Sequence, residues 1–144
     1  MLVLSEKVVS ARNGEIFEAL TAEETTILLM DRINAIVAGE LGKDFELGHT
    51  LFLGVVNATA EQRWSALATT WDSKIFPQLS ERFVQNSDAM RVILKVADQD
   101  KVGAVFTERQ PIGGGILENA PILVRSLSTL SEDEAASVLR HIAI

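Results

Sequence analysis

The chain's 144 residues offer two histidines, a scatter of hydroxyls and carboxylates, and no cysteine. Thiol catalysis, disulfides and cysteine-based metal sites are therefore excluded. Reactive residue types converge most clearly at Gly48-His49-Thr50, where an imidazole and a hydroxyl sit beside a glycine inside the apolar stretch Leu47 to Phe52. Such an imidazole can donate, accept or carry charge near neutral pH, and the hydroxyl can donate to an anionic oxygen. The structural alternative is a partly buried histidine satisfied within a turn. The other histidine, His141, lies in an unrelated segment, so a histidine metal site would need carboxylates at spacings the sequence does not supply.

Other motifs fall short of a chemistry. No Gly-x-Ser-x-Gly elbow is present. Gly113-Gly114-Gly115 runs into Ile116 and Leu117, where a phosphate loop needs Gly-Lys-Ser/Thr, so it reads as a flexible loop. Asp98-Gln99-Asp100-Lys101-Val102-Gly103 opens like a calcium loop, but Val102 and Arg109 stand where oxygen ligands are required. The carboxylate clusters Glu23-Glu24 and Glu132-Asp133-Glu134 fall in the first turns of expected helices, where negative charge complements the free amides. Trp64, Trp71 and Phe83 share one helical stripe and read as core, not as a base-stacking surface.

The charge balance narrows the partners. With 13 basic and 20 acidic residues and a net charge of -7, the chain lacks the cations that phosphate binding demands, and no direct nucleic-acid contact is expected. No apolar run reaches the roughly 18 to 20 residues of a membrane span, and no charged-then-apolar leader opens the chain. A soluble, cytoplasmic protein is the expectation. The mean hydropathy of +0.20 is high for an acidic domain of this size and suggests apolar surface covered by something outside this chain.

The length supports one domain, or one and a half. Val8-Val9 and Ile16-Phe17 flank Asn13-Gly14, a dipeptide favoured in hairpin turns, which predicts a β element at the start. Capping boxes at Thr21, Thr59 and Ser131 open helices. The first carries Leu29, Ile33, Ile36 and Val37 on one stripe, and the second carries Trp64, Leu67, Trp71, Ile75, Leu79 and Phe83. Pro77 predicts a kink or break in the second. Ser87 caps a helix bearing Met90, Ile93, Leu94 and Ala97, and a terminal helix presents Ala135, Val138, Leu139 and Ile142. Phe45 to Leu53 reads as a short strand or extended loop, and Val102 to Phe106 and Ile122 to Val124 as two strands. The fold class expected is mainly α, a helical bundle with one or two small β hairpin elements. Residues 1–98 form its helical domain, and residues 99–144 form an extension that can pack on it.

The order Arg32-Ile33, Leu41-Gly42, Asp44, Leu47-Gly48-His49-Thr50-Leu51-Phe52, then Trp71, Lys74, Ile75, Pro77, Leu79, Glu81 and Phe83 resembles the C-terminal lid region of McrB-like AAA+ nucleotidases of modification-dependent restriction systems. The likeness runs from Thr21 to Val96. It departs from the family pattern where Thr50 replaces serine, Leu51 an aromatic residue and Met30 an asparagine. What the resemblance implies is a non-catalytic lid fragment without activity alone. The parent would bind GTP or ATP with magnesium through an AAA+ core domain, assemble with neighbouring ring subunits, and activate a McrC-like nuclease. It further implies that Gly48, His49 and Thr50 stand where such lids present a sensor group to the nucleotide. The opposing expectation is a self-standing helical regulatory module that docks a partner through apolar surface.

Overall fold

The computed structural model describes residues 4–13, 20–103, 105–108 and 122–144. They form a mainly helical domain with one short antiparallel strand pair. The helices are α1 (Leu4–Arg12), α2 (Ala22–Leu41), α3 (Leu53–Val56), α4 (Arg63–Thr70), α5 (Phe76–Arg82), α6 (Ser87–Leu94), α7 (Gln99–Val102) and α8 (Glu132–Ala143). Strands β1 (Phe106–Glu108) and β2 (Ile122–Val124) pair with Phe106 opposite Val124.

α2 begins as its sequence dictates. The Thr21 hydroxyl accepts from the Glu24 amide while the Glu24 carboxylate accepts from the Thr21 amide, closing a full capping box. Its stripe of Leu29, Ile33 and Val37 is buried, with Ile36 half-buried beside it. The stripe meets Leu67, Trp71, Ile75, Leu79 and Phe83 from the run that spans α4 and α5, Met90, Ile93 and Leu94 from α6, and Val138, Leu139 and Ile142 from α8 in one hydrophobic core. A cluster of rings extends that core to β1: Trp71, Phe76 and Phe106 stand about 6 Å apart, with Phe76 and Phe106 stacked.

The run from Arg63 to Arg82 stays helical through Pro77 by widening before it. Residues Trp71–Ile75 form a π turn, with the Phe76 amide donating to the Trp71 carbonyl, and Pro77 falls in the first turn of α5. A proline has no N–H to give the carbonyl four residues back and its ring crowds that carbonyl, so a wider turn accommodates it better than a regular one. The wide turn carries Asp72 toward the tail. Its carboxylate accepts from the amides of Leu127 and Ser128, both at 2.9 Å, at the start of a short 3-10 turn.

Several expectations are corrected. Residues 4–12 are helical, not a β element. Lys7 pairs with Glu24 of α2, and the buried Ala11 lies one turn further along, so helical spacing puts both on one face of α1. Asn13 closes the last turn on the Val9 carbonyl, while Gly14, Ile16 and Phe17 lie outside the described residues. Phe45 to Leu53 forms no strand. Two 3-10 turns, Lys43–Phe45 and His49–Phe52, lead into α3. Thr59 makes no capping bond, and a 3-10 turn precedes α4. α6 is capped by Asn86 in place of Ser87. Val102 belongs to α7 and not to a strand, and the glycine cluster at 113–115 lies outside the described residues.

Arg32, on α2, secures the far end of the bundle. Its guanidinium donates to the carbonyls of Val92 (2.7 Å) and Ile93 (2.8 Å) in the last turn of α6 and of Ile142 (2.9 Å) in the last turn of α8. Of these, the Val92 carbonyl also accepts from the Lys95 amide that caps α6, and a cation at these helix ends complements two helix dipoles. Burial pushes the Arg32 pKa down from its ordinary value, yet an arginine stays charged. Replacing Arg32 with Met should lower the free energy of unfolding by about 3 kcal/mol, with Lys recovering part of it, as read by urea denaturation. Glu24 supplies a second test. Burial works against its charged form, but hydrogen bonds from the Thr21 amide, Lys7 and the Thr21 hydroxyl, with the Lys7 charge, hold its pKa below 4.5. The stability this contributes is present above pH 4.5 and lost as pH falls through the lowered value. Glu24→Gln should therefore flatten the acid limb of stability against pH.

Candidate functional site

The Gly48-His49-Thr50 turn is built on two buried anchors, Leu47 and Phe52. Between them the backbone leaves Gly48 in an extended conformation (φ -76, ψ 152), and the Leu51 amide then donates to the Gly48 carbonyl as the 3-10 turn winds. Gly48 and Thr50 are exposed, while the His49 side chain lies outside the described ones. Nothing in the backbone demands glycine here: φ is negative and an added Cβ would meet only Thr50 Oγ1 at 3.7 Å.

What holds the turn is Asn34, a residue the sequence reading passed over. From the middle of α2 its amide accepts from the Leu47 N–H at 2.7 Å and donates to the Leu47 carbonyl at 3.1 Å, imitating a strand partner for one extended residue. Arg82 Nε donates to the Phe45 carbonyl at 2.8 Å from the other side. A neutral polar residue on the half-buried flank of an apolar stripe was the available signal, because such a side chain must find a partner.

A second concentration of polar groups lies where α2 starts. An open groove of about 500 Å³ is lined by Leu20, Thr21, Glu23, Arg63, Trp64 and Arg140 among others. Arg140 lies over the Trp64 ring, 4.6 Å from its centroid, and donates through Nε to the Leu20 carbonyl at 3.0 Å. Arg63 pairs with Glu23, while its Nε is buried without a hydrogen-bond partner among the described residues. The groove thus gathers two guanidiniums in an acidic chain, whereas the Gly48 turn offers a hydroxyl and backbone groups. Among the described residues no cluster of three metal-ligating side chains occurs.

The helical body just described is where a comparison with known families succeeds. Residues 25–91 match the family model "McrB, alpha-helical lid domain". The matched segment begins in α2, ends in α6 and lies inside the stretch whose motifs carry the resemblance, which it bears out. Residues 25–91 are thus similar to that lid family, while β1, β2, α7 and α8 fall beyond the match. No curated protein and no solved structure matches the chain.

Arg32-Ile33 and Asn34, all within the lid match, acquire structural duties that the motif alone does not disclose: Arg32 joins helix ends, Ile33 fills the core and Asn34 fixes the turn. Asn34→Ala should cost about 1 to 2 kcal/mol and raise amide exchange in residues 45–52 more than elsewhere. Gly48→Ala should change stability by less than about 0.5 kcal/mol, read by thermal unfolding.

Proposed function

We propose that this chain is a non-catalytic lid module of a McrB-like AAA+ protein, coupling the nucleotide state to ring assembly and to activation of a partner restriction nuclease in the cytoplasm. The observation that carries the reading is the lid-family match over residues 25–91, coincident with the helical body. A core domain would hold GTP or ATP with magnesium, and the lid would close over it. The architecture suits that work. α2, α4, α5, α6 and α8 share one core, so a push at one end displaces the whole unit as a rigid body.

Two faces of the module are suited to meet the triphosphate. The Gly48-His49-Thr50 turn, pinned by Asn34, would bring a hydroxyl and an imidazole to the phosphates, worthwhile only if donors are already in place where charge develops. The groove at the start of α2 would bring Arg63, which would exchange Glu23 for the ligand. Exposed Leu53 and Val56 on α3 and Val84 after α5 offer apolar area to a core domain or a neighbouring subunit.

The chain alone should gain no thermal stability from GTP or ATP and hydrolyse neither, because half a site lacks the loops that hold phosphate. Joined to a McrB-like core that carries those loops, it should support turnover. His49→Ala or Thr50→Ala should then lower the rate about tenfold or more if the turn faces the nucleotide. Loss confined to Arg63→Ala would assign that duty to the groove, and turnover indifferent to the presence of this chain would overturn the lid reading.

A further inference from the structure

Arg140 reaches out of the last turn of α8 to two elements at once. Its Nε donates to the Leu20 carbonyl at 3.0 Å, and its guanidinium lies 4.6 Å from the centre of the Trp64 ring. Leu20 is fully buried and stands ahead of Thr21, the cap of α2, whose own carbonyl takes the first helical amide, that of Thr25. The Leu20 carbonyl therefore needs a donor from elsewhere, and Arg140 supplies it. Trp64 follows Arg63 at the start of α4, a helix that begins without a side-chain cap, the 3-10 turn before it being uncapped as well. The placement of its first turn falls to contacts from other parts of the domain, the Arg140 stack among them.

Leu20, Arg63, Trp64 and Arg140 all line the open groove at the start of α2. One side chain thus joins the entry of α2 to the start of α4 at the place where Arg63 lies. Arg63 itself is loosely held: it pairs with the exposed Glu23, and its Nε is buried without a hydrogen-bond partner among the described residues. A guanidinium with so few bonds takes its position from the helical turn that carries it. The groove is also composite. Arg63 and Trp64 fall within residues 25–91, whereas Leu20, Glu23 and Arg140 fall outside the match.

We propose that Arg140 is a positioning residue of this groove: by bridging Trp64 and Leu20 it fixes the first turn of α4 against the entry to α2, and so sets where Arg63 meets an anion. The inference rests on the reading that Arg63 takes a nucleotide phosphate in place of Glu23. Two guanidiniums in one groove divide the work by their bonds. Arg140 is turned to a ring and a backbone carbonyl that the fold needs satisfied, while the carboxylate on Arg63 can be exchanged for another anion. A displacement of about 1 Å at such a contact can cost up to about a hundredfold in rate, so a residue that never touches the ligand can still govern turnover. The tail helix α8 thereby contributes to the site without entering it.

The chain joined to a McrB-like core that carries the phosphate loops tests this by a double-mutant cycle on kcat/KM for the nucleotide that the core hydrolyses. Arg140→Met, which still covers Trp64 but cannot donate to Leu20, should lower kcat/KM about tenfold, and by less than about twofold once Arg63 is replaced by Ala. Arg140→Lys, which keeps a cation and a donor, should recover part of the loss. A role in stability alone would lower kcat/KM by the same factor in both backgrounds. Equal factors, or an unchanged kcat/KM in Arg140→Met while Arg63→Ala is impaired, would overturn the positioning role and leave the groove reading standing. An unimpaired Arg63→Ala would overturn both. Should Arg140→Met fail to fold, Arg140→Lys takes its place in the cycle: a deficit of about twofold to fivefold that vanishes in the Arg63→Ala background is expected, and its absence or its persistence there overturns the proposal.

Discussion

Two helices that end side by side create an electrostatic problem, because each directs unpaired carbonyls and the negative end of its dipole into the same space. In this domain the C-terminal turns of α6 and α8 converge in that way, and Arg32 of α2 answers for both. A planar guanidinium with five donors can serve three carbonyls from two helices at once, which an ammonium's compact geometry does less well. The solution places a cation where solvent is scarce, and its burial is tolerable only because every carbonyl it meets is fixed by helical geometry. The rest of the core can close around α2 because this end is satisfied.

That arrangement ties residues 25–91, which match the lid family, to those that follow. Arg32 lies inside the segment matching the McrB lid, but one of its three acceptors belongs to α8, beyond it. Asp72 repeats the pattern, reaching from the π turn within the matched segment to the amides of Leu127 and Ser128. Both bonds join groups far apart in sequence, so their formation requires that the helices be packed first, and each then opposes separation of the tail. The matched segment and the following residues share polar ties as well as a hydrophobic core.

Periodicity made the helices legible. The stripe from Leu67 to Phe83 could be read from spacing alone, and the π turn before Pro77 perturbs it without moving any of those side chains out of the core. The capping box at Thr21 was equally plain, since both of its bonds are local. The misreadings share one cause: a short segment whose local signal is weak is decided by tertiary partners. Val8-Val9 beside Asn13-Gly14 favours a hairpin by propensity, yet pairing of Lys7 with Glu24 and burial of Ala11 favour a helix. Gly48-His49-Thr50 stood out by composition, but its position depends on Asn34, thirteen residues before Leu47, a relation that no local pattern encodes.

The same long-range bonds bear on how an acidic module relates to nucleic acid. A phosphate-binding surface turns its arginines outward, each releasing counterions as it meets a phosphate. Here Arg32, Arg82 and Arg140 are directed at backbone carbonyls of their own domain, and Arg63 and Arg91 at carboxylates. Turning any of the first three toward DNA would strand a carbonyl that the fold relies on satisfying, so their recruitment carries a structural cost as well as an electrostatic one. Arg63 differs, since its partner Glu23 is itself charged and exposed and can be exchanged for another anion while both groups remain solvated or paired. Among these five arginines, the one whose partner is most readily exchanged is therefore Arg63, at the start of α4 beside the groove at the entry to α2.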